Sequence, residues 1–182
     1  VPRSITPVCA IFLKHGDELV EMVEEAYEAE SVLQKLLADY PNLLAGDSDS
    51  AARHRWLLVK RELGIASQQD GGDRWSIDHV FLDQDGVPTL VEVKRASDTR
   101  IRREVVGQLL DYAANASVFW GLAKIQAAYE SRFDTPEDAV AELESFLGGD
   151  VDPDRFWENV AVNLKARKLR LIFVADAIPT EL

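Results

Sequence analysis

Apolar residues recur at steps of three and four along residues 16–40, which predicts a long amphipathic helix. Pro41 marks its end, because the residue before a proline avoids the helical region of backbone space. Glu30 is the exception on this face, a carboxylate among apolar side chains. The predicted face comprises Leu19, Val23, Ala26, Glu30, Leu33 and Leu37.

Strand patterns follow in the middle of the chain. Residues 55–65 are apolar and β-compatible, and residues 75–82 alternate between two faces. The Asp85-Gly86 pair is a tight-turn signal, and residues 89–94 form a further apolar run after it. The two runs around this turn therefore predict a β-hairpin.

Helical patterns dominate the remainder, with a final apolar strand at residues 169–175. Thr135 and Asp152 each precede a proline, which is the pattern of a helix N-cap followed by a first-turn proline. A short strand at 117–120 is an alternative last strand of the sheet, but the 169–175 run is the stronger one. The predicted helices are 101–115, 122–131, 136–147 and 153–168.

These elements predict an α/β fold, with a mixed central sheet flanked by helices and a helical insertion before the last strand. The 182 residues, 47% of them hydrophobic, are enough for one domain with a real core, which excludes intrinsic disorder. We expect a single domain over 1–182, with a core of about 17–115 plus 169–175 and an insertion at about 121–168. The chain begins with Val1 rather than Met, so it is also consistent with part of a longer parent protein.

The composition excludes several classes of protein and indicates where in the cell this one is expected. No apolar run reaches the roughly 20 residues of a membrane span. The single cysteine, Cys9, rules out an internal disulfide framework, so a cytoplasmic location is expected. The chain has no phosphate-binding GxxxxGK[ST] motif and no GxSxG hydrolase motif. A homodimer is compatible with this pattern, although no particular residue indicates one.

The net charge of −12 is unevenly distributed along the chain. Fourteen of the twenty lysine and arginine residues lie in 53–103 and 165–182. These segments could form one basic face that approaches a phosphate backbone, or they could be scattered solvated charges. The run from Lys165 to Arg170 likewise either extends such a face or is a solvated helix end.

The hairpin carries the strongest chemical signal. Glu92 and Lys94 lie two apart on one strand and so share a face, and Asp78 lies on the neighbouring strand. Two carboxylates on adjacent strands can bind one divalent cation through oxygen, and a lysine beside them can hold or help deprotonate a water. Two carboxylates and a lysine in this arrangement are suited to metal-assisted hydrolysis of a phosphodiester. The same spacing is also found in a simple surface salt bridge.

Further residues add to this signal. A carboxylate at Glu30 is costly in an apolar stripe unless it meets a partner or a metal. Gln108 and Tyr112 lie four apart and share a helical face. His79 points away from Asp78 and is expected to be structural. Five basic residues surround the junction between the strand and the helix: Lys94, Arg95, Arg100, Arg102 and Arg103.

The ordered array resembles the PD-(D/E)XK nuclease superfamily. It consists of Glu30, Ile77-Asp78, Glu92-Val93-Lys94 and the Gln108-to-Tyr112 segment. The last element is similar to the QxxxY motif of the RecB-like members. The resemblance covers about residues 24–115, and Ile77 stands where the family name has proline.

The resemblance implies a restriction-endonuclease-like core and a Mg²⁺- or Mn²⁺-dependent deoxyribonuclease. Asp78 and Glu92 would bind the metal with the Val93 carbonyl, and Glu30 would reach it directly or through water. Lys94 would orient the attacking water. Gln108, Tyr112 and the basic residues Arg95, Arg100, Arg102 and Arg103 would contact DNA. The alternatives are an inactive module of this fold that binds nucleic acid or protein, and an interaction domain with a chance resemblance.

Overall fold

The computed structural model describes residues 11–23, 29–45, 54–66, 73–95, 106–149, 151–175 and 177–178. Within them lie strands β1 (Ile11–His15), β2 (Glu18–Met22), β3 (Trp56–Ala66), β4 (Asp73–Asp83), β5 (Pro88–Lys94) and β6 (Arg170–Ala175). The helices are α1 (Glu30–Asp39), α2 (Val106–Phe119), α3 (Leu122–Glu130), α4 (Pro136–Leu147) and α5 (Pro153–Lys165). A 3₁₀ helix spans Pro41–Ala45.

A mixed four-stranded sheet in the order β3-β4-β5-β6 organises the fold. The first three strands run antiparallel, whereas β6 lies parallel to β5 with Thr89 opposite Arg170 and Lys94 opposite Ala175. The α/β prediction with a mixed sheet and flanking helices is confirmed. The preference for 169–175 as the last strand is also confirmed, because residues 117–119 belong to helix α2.

The predicted helix over residues 16–40 is wrong in its first part. Residues 11–22 form a separate antiparallel hairpin, β1–β2, which turns at Gly16 with φ of +61°. A step of four residues fits a strand as well as a helix, so Leu19 and Val23 satisfied both periods. Both side chains are exposed rather than core-facing. Residues 24–28 lie outside the described part, and the helix proper begins at Glu30.

Apolar side chains cover both faces of the four-stranded sheet. On one face, α1 contributes Leu33 and Leu37 to a cluster with Trp56, Leu58, Phe81, Val91 and Val93, here called the α1 cluster. On the other face a larger cluster joins the sheet to α2, α3, α4 and α5, and includes Leu90, Tyr112, Ile125, Leu143 and Phe156. The predicted insertion helices therefore share one core with the sheet.

The helices of this larger cluster begin and end as their sequences predict. The Thr135 hydroxyl accepts the Asp138 amide, and the Asp152 carboxylate accepts the amides of Asp154 and Arg155, so both predicted N-caps are confirmed. Helix α4 ends at Gly148, whose left-handed φ of +69° suits glycine. No helix within the described ranges combines the length and apolar character that crossing a membrane requires.

The β4–β5 turn is held by one buried carboxylate. Asp83 is fully buried, and its Oδ1 accepts the amides of Asp85 at 3.0 Å and Val87 at 2.8 Å. Its Oδ2 accepts Nη1 of Arg170 at 2.8 Å, which ties the turn to the start of β6. The predicted tight turn is thus confirmed. Gly86 has φ of +72°, a conformation that favours glycine.

Substitution of Gly86 should test how closely this turn is packed against α5. A Cβ at Gly86 would lie 3.0 Å from both the Val160 amide nitrogen and its Cγ2, and the backbone atom cannot rotate away. Backbone strain and overpacking together should lower the free energy of unfolding by about 2–4 kcal/mol in Gly86→Ala.

Gly149→Ala is the matched control, because Gly149 has φ of +81° and nothing within 4 Å of the added Cβ. It should lose only about 1 kcal/mol from backbone strain. Urea denaturation of both variants measures the difference. Equal losses in the two variants would contradict close packing of the turn.

Candidate functional site

Strand β5 places a carboxylate and an ammonium side by side at its C-terminal end. Glu92 and Lys94 share the face of Leu90, which belongs to the larger cluster, while Val91 and Val93 face α1. Glu92 is only 2% exposed, and Lys94 Nζ donates to its Oε1 at 2.7 Å. Glu92 is buried and Lys94 is partly buried, so the pair is not a fully exposed surface salt bridge.

Asp78 meets this pair where the ladder between β4 and β5 ends. The last paired residues of the two strands are His79 and Val91. Beyond them, the Val93 amide donates to Asp78 Oδ2 at 2.8 Å instead of to a strand carbonyl. The Asp78 carboxylate therefore contacts the peptide unit that joins Glu92 to Val93.

Glu30 reaches the end of β5 from the opposite layer. It is the first residue of α1, and its Oε1 accepts the backbone amide of Arg95 at 3.2 Å. The prediction placed it in the middle of an apolar stripe, whereas the structure places it at a helix start without a side-chain cap. Glu30 does have a hydrogen-bond partner, the Arg95 amide, but the helix start and its dipole explain the position of the carboxylate, and an apolar stripe does not.

The charges of these residues are coupled. Burial raises the pKa of Glu92, the hydrogen bond from Lys94 opposes this, and the negative charge of Asp78 adds to it. Burial alone would lower the pKa of Lys94, but hydrogen bonding and attraction from Glu92, with Asp78 and Glu30, outweigh it and raise that pKa. Lys94 is therefore an ammonium at neutral pH, surrounded by three carboxyl groups.

Helix α2 places two polar side chains, Gln108 and Tyr112, close to the site. Gln108 Nε2 donates to the Tyr112 hydroxyl, and the Tyr112 side chain is buried. Burial raises the pKa of Tyr112, the Gln108 hydrogen bond lowers it, and the charges of Glu92, Lys94 and Asp78 also act on it. The predicted pair on one helical face thus lies close to the β5 residues.

Two carboxylates at this site have oxygens of the kind that bind a divalent cation. Glu92 Oε2 is buried and has no hydrogen-bond partner, and the Asp78 carboxylate lies beside the same strand. Over the described ranges, no group of three or more His, Cys, Asp or Glu side chains is arranged to hold a metal ion. A magnesium ion needs fewer, because it binds through one or two carboxylates and keeps several waters. Asp78 and Glu92 fit such an ion, while Glu30 is engaged with Arg95.

Comparisons of the chain with protein-family models, with curated proteins and with solved structures found no match. Of the predicted site residues, Glu30, Asp78, Glu92, Val93, Lys94, Arg95, Gln108 and Tyr112 lie around the C-terminal end of β5. Arg100, Arg102 and Arg103 lie outside the described residues.

The second basic run lies at the other end of the sheet. Arg170 pairs with Thr89 at the start of β5, five residues from Lys94, which is about 16 Å at ~3.3 Å per residue. Its guanidinium is bound to Asp83 and lies over the Trp56 ring. The run from Lys165 to Arg170 therefore does not extend a basic face at the candidate site.

His79 lies next to Asp78 in the chain, and the sequence predicts only a structural role for it. His79 is fully buried on the face opposite Asp78, as the alternation of β4 predicted, and its Nε2 lies 2.7 Å from the Gln34 carbonyl oxygen of α1. Burial lowers the pKa of His79, opposed by its hydrogen bond with Gln34 and by Asp78. In the sequence, the signal for this contact is a polar residue on an otherwise apolar face of a core strand.

Glu92→Gln should change how stability depends on pH in metal-free protein. Because burial raises the folded-state pKa of Glu92 above its value in the unfolded chain, the folded state binds the proton more tightly. Wild type should therefore lose stability relative to Glu92→Gln as pH rises from about 4.5 through the raised pKa. Lys94 stays charged over this range and does not contribute to the slope.

Urea denaturation between pH 4 and pH 8 in the presence of EDTA measures this difference. Glu158→Gln, which changes an exposed carboxylate on α5, is the control and should follow wild type at every pH. A wild-type advantage that grew with pH would contradict the strained, buried state of the Glu92 carboxylate.

Proposed function

We propose that this chain is a metal-dependent nuclease of the PD-(D/E)XK type that hydrolyses phosphodiester bonds in DNA. The observation that carries the proposal is the convergence of Asp78, Glu92 and Lys94 at the point where the β4–β5 ladder ends. The order of Glu30, Asp78, Glu92, Lys94, Gln108 and Tyr112 along α1, β4, β5 and α2 supports it. The mixed sheet is compatible with a restriction-endonuclease-like core.

In the proposed mechanism Asp78 and Glu92 would hold Mg²⁺ or Mn²⁺ through their carboxylate oxygens, with the carbonyl of Val93 as a further oxygen ligand. Such an ion would supply a water of lowered pKa and positive charge for the phosphoryl group. Glu92 Oε2 is suited to this, since it is buried without a competing hydrogen bond. Glu30 would reach the ion directly through its second oxygen or through water, since its Oε1 accepts the Arg95 amide.

Lys94 has a definite role in this arrangement. Burial acts to lower the pKa of Lys94, but the hydrogen bond and attraction from Glu92 outweigh it and raise that pKa, which favours the ammonium form. As an ammonium it would donate hydrogen bonds that orient the attacking water and stabilise the negative charge on the phosphoryl oxygens. The buried Tyr112 closes the site from α2, and the partly exposed Gln108 would offer its amide to the nucleic-acid strand.

Metal binding can be measured before any substrate is known. Mn²⁺ should bind wild type in calorimetric titration, and Asp78→Asn should bind it at least about tenfold more weakly because one charged ligand is lost. Asparagine can still accept the Val93 amide, so the local fold is kept. Equal Mn²⁺ affinity in the two proteins would remove Asp78 from the metal site.

DNA cleavage tests the reaction itself. With Mn²⁺ and a mixture of linear, circular and single-stranded DNA, wild type should cut at least one form. Asp78→Asn and Lys94→Met should each lose at least about 100-fold in rate, as when a group that stabilises transition-state charge is removed. Methionine preserves the apolar stem of Lys94 while removing its charge.

Two distant charges provide controls for these variants. Asp134→Ala and Lys168→Ala alter exposed residues in the described part of the chain, and both should cut at the wild-type rate. A variant at Asp78 or Lys94 that retained full activity would overturn the residue assignment. Salt-dependent DNA binding without any cleavage would favour the alternative of an inactive binding module.

A further inference from the structure

His79 forms a directional contact between β4 and α1. A carbonyl oxygen can only accept a hydrogen bond, so the Nε2 of His79 must carry the hydrogen that is donated to Gln34 at 2.7 Å. In the neutral ring Nδ1 is then bare, and this buried atom has no partner in the described structure. The ring also stacks on Phe81, with centroids 5.7 Å apart. A buried polar ring with one unpaired nitrogen is costly where an apolar residue would pack.

The contact lies one helical turn from Glu30. Gln34 follows Glu30 by four residues in α1, so the two lie on the same side of the helix. Helix α1 has only ten residues and no side-chain cap, so its position depends on tertiary contacts. Leu33 and Leu37 supply apolar packing, which is non-directional. A hydrogen bond to one carbonyl is directional and selects one position along the helix axis.

We propose that His79 is a positioning residue that fixes α1 along its axis, so that the Glu30 carboxylate lies against the Arg95 amide beside Lys94. Asp78 and His79 are consecutive in β4, so together they contact both β5 and α1. Asp78 binds the Val93 amide of β5, and His79 binds α1 on the other face. The catalytic consequence of this positioning rests on the nuclease proposal, whereas the placement of Glu30 does not.

Three substitutions separate the hydrogen bond from the packing of the ring. His79→Gln carries an amide donor at a reach close to that of Nε2. His79→Asn has the same amide but is one methylene shorter and cannot reach Gln34. His79→Phe retains a ring for stacking on Phe81 and has no donor. The Gln and Asn variants are the decisive pair if the Phe variant does not fold.

Amide hydrogen exchange of Arg95, followed by NMR at constant pH in EDTA, reports the Glu30 contact without metal or substrate. We expect exchange at Arg95 to become at least tenfold faster in His79→Asn and His79→Phe. In His79→Gln it should stay within threefold of wild type. The Val93 amide, held by Asp78, is the internal control and should remain protected in every folded variant.

Two results would overturn the positioning role. Unchanged protection of Arg95 in the Asn and Phe variants would show that apolar packing alone places α1. Fast exchange in the Gln variant as well would show that the shape of the ring matters and the hydrogen bond does not.

Activity adds a second, separate comparison. In the cleavage assay, His79→Asn should lower kcat about 5- to 20-fold with Glu30 present and have no further effect in the Glu30→Gln background. An equal loss in both backgrounds would overturn action through Glu30. If wild type cuts no DNA, the nuclease proposal fails, and the exchange measurements still decide whether His79 places Glu30.

Discussion

The ladder between β4 and β5 ends at the pair His79 and Val91, and the candidate site is built on that ending. A strand amide without a ladder partner must find another acceptor, since an unpaired buried amide is costly. The Val93 amide finds it in the carboxylate of Asp78, which thereby comes to lie beside Glu92 and Lys94. If the ladder continued for two more residues, a carbonyl of β4 would accept the Val93 amide. The Asp78 carboxylate would then lose its hydrogen bond to β5.

The two ends of β5 differ in how completely their charges are satisfied. At the N-terminal end, Asp83 is buried but uses both oxygens, on two turn amides and on Arg170. At the C-terminal end, Glu92 is equally buried but one of its oxygens has no partner, and its pKa is raised by burial. A fully paired carboxylate stabilises a fold, whereas an underpaired one is a cost that sites of chemistry commonly retain. The candidate site therefore lies at the end of β5 where a buried carboxylate is underpaired.

The two layers that cover the sheet contribute different residues to the C-terminal end of β5. The larger cluster, with α2 to α5, provides a deep core and carries Tyr112 and Gln108 to the site. The α1 cluster is thinner, and a single short helix brings Glu30 to the Arg95 amide. Because so little apolar packing holds α1, the one hydrogen bond from His79 has a large share in where Glu30 lies.

Local patterns in the sequence were sufficient for much of the architecture. The Asp85-Gly86 turn, the N-caps at Thr135 and Asp152, and the strand periodicity around Asp78 and Glu92 are short-range signals, and each is confirmed. Residues 16–23 show the limit of such signals. A spacing of four residues fits both a helix and a strand, and only pairing with β1 selects the strand.

The sequence by itself determined which residues share a face of a strand or a helix, because that follows from the backbone period alone. It therefore placed Glu92 with Lys94, and Gln108 with Tyr112. The tertiary structure alone decided that Glu30 begins its helix against the Arg95 amide, that Asp83 binds Arg170, and that His79 binds α1. These contacts join residues tens of positions apart in the chain. Their geometry depends on how the layers pack, and no local period encodes that packing.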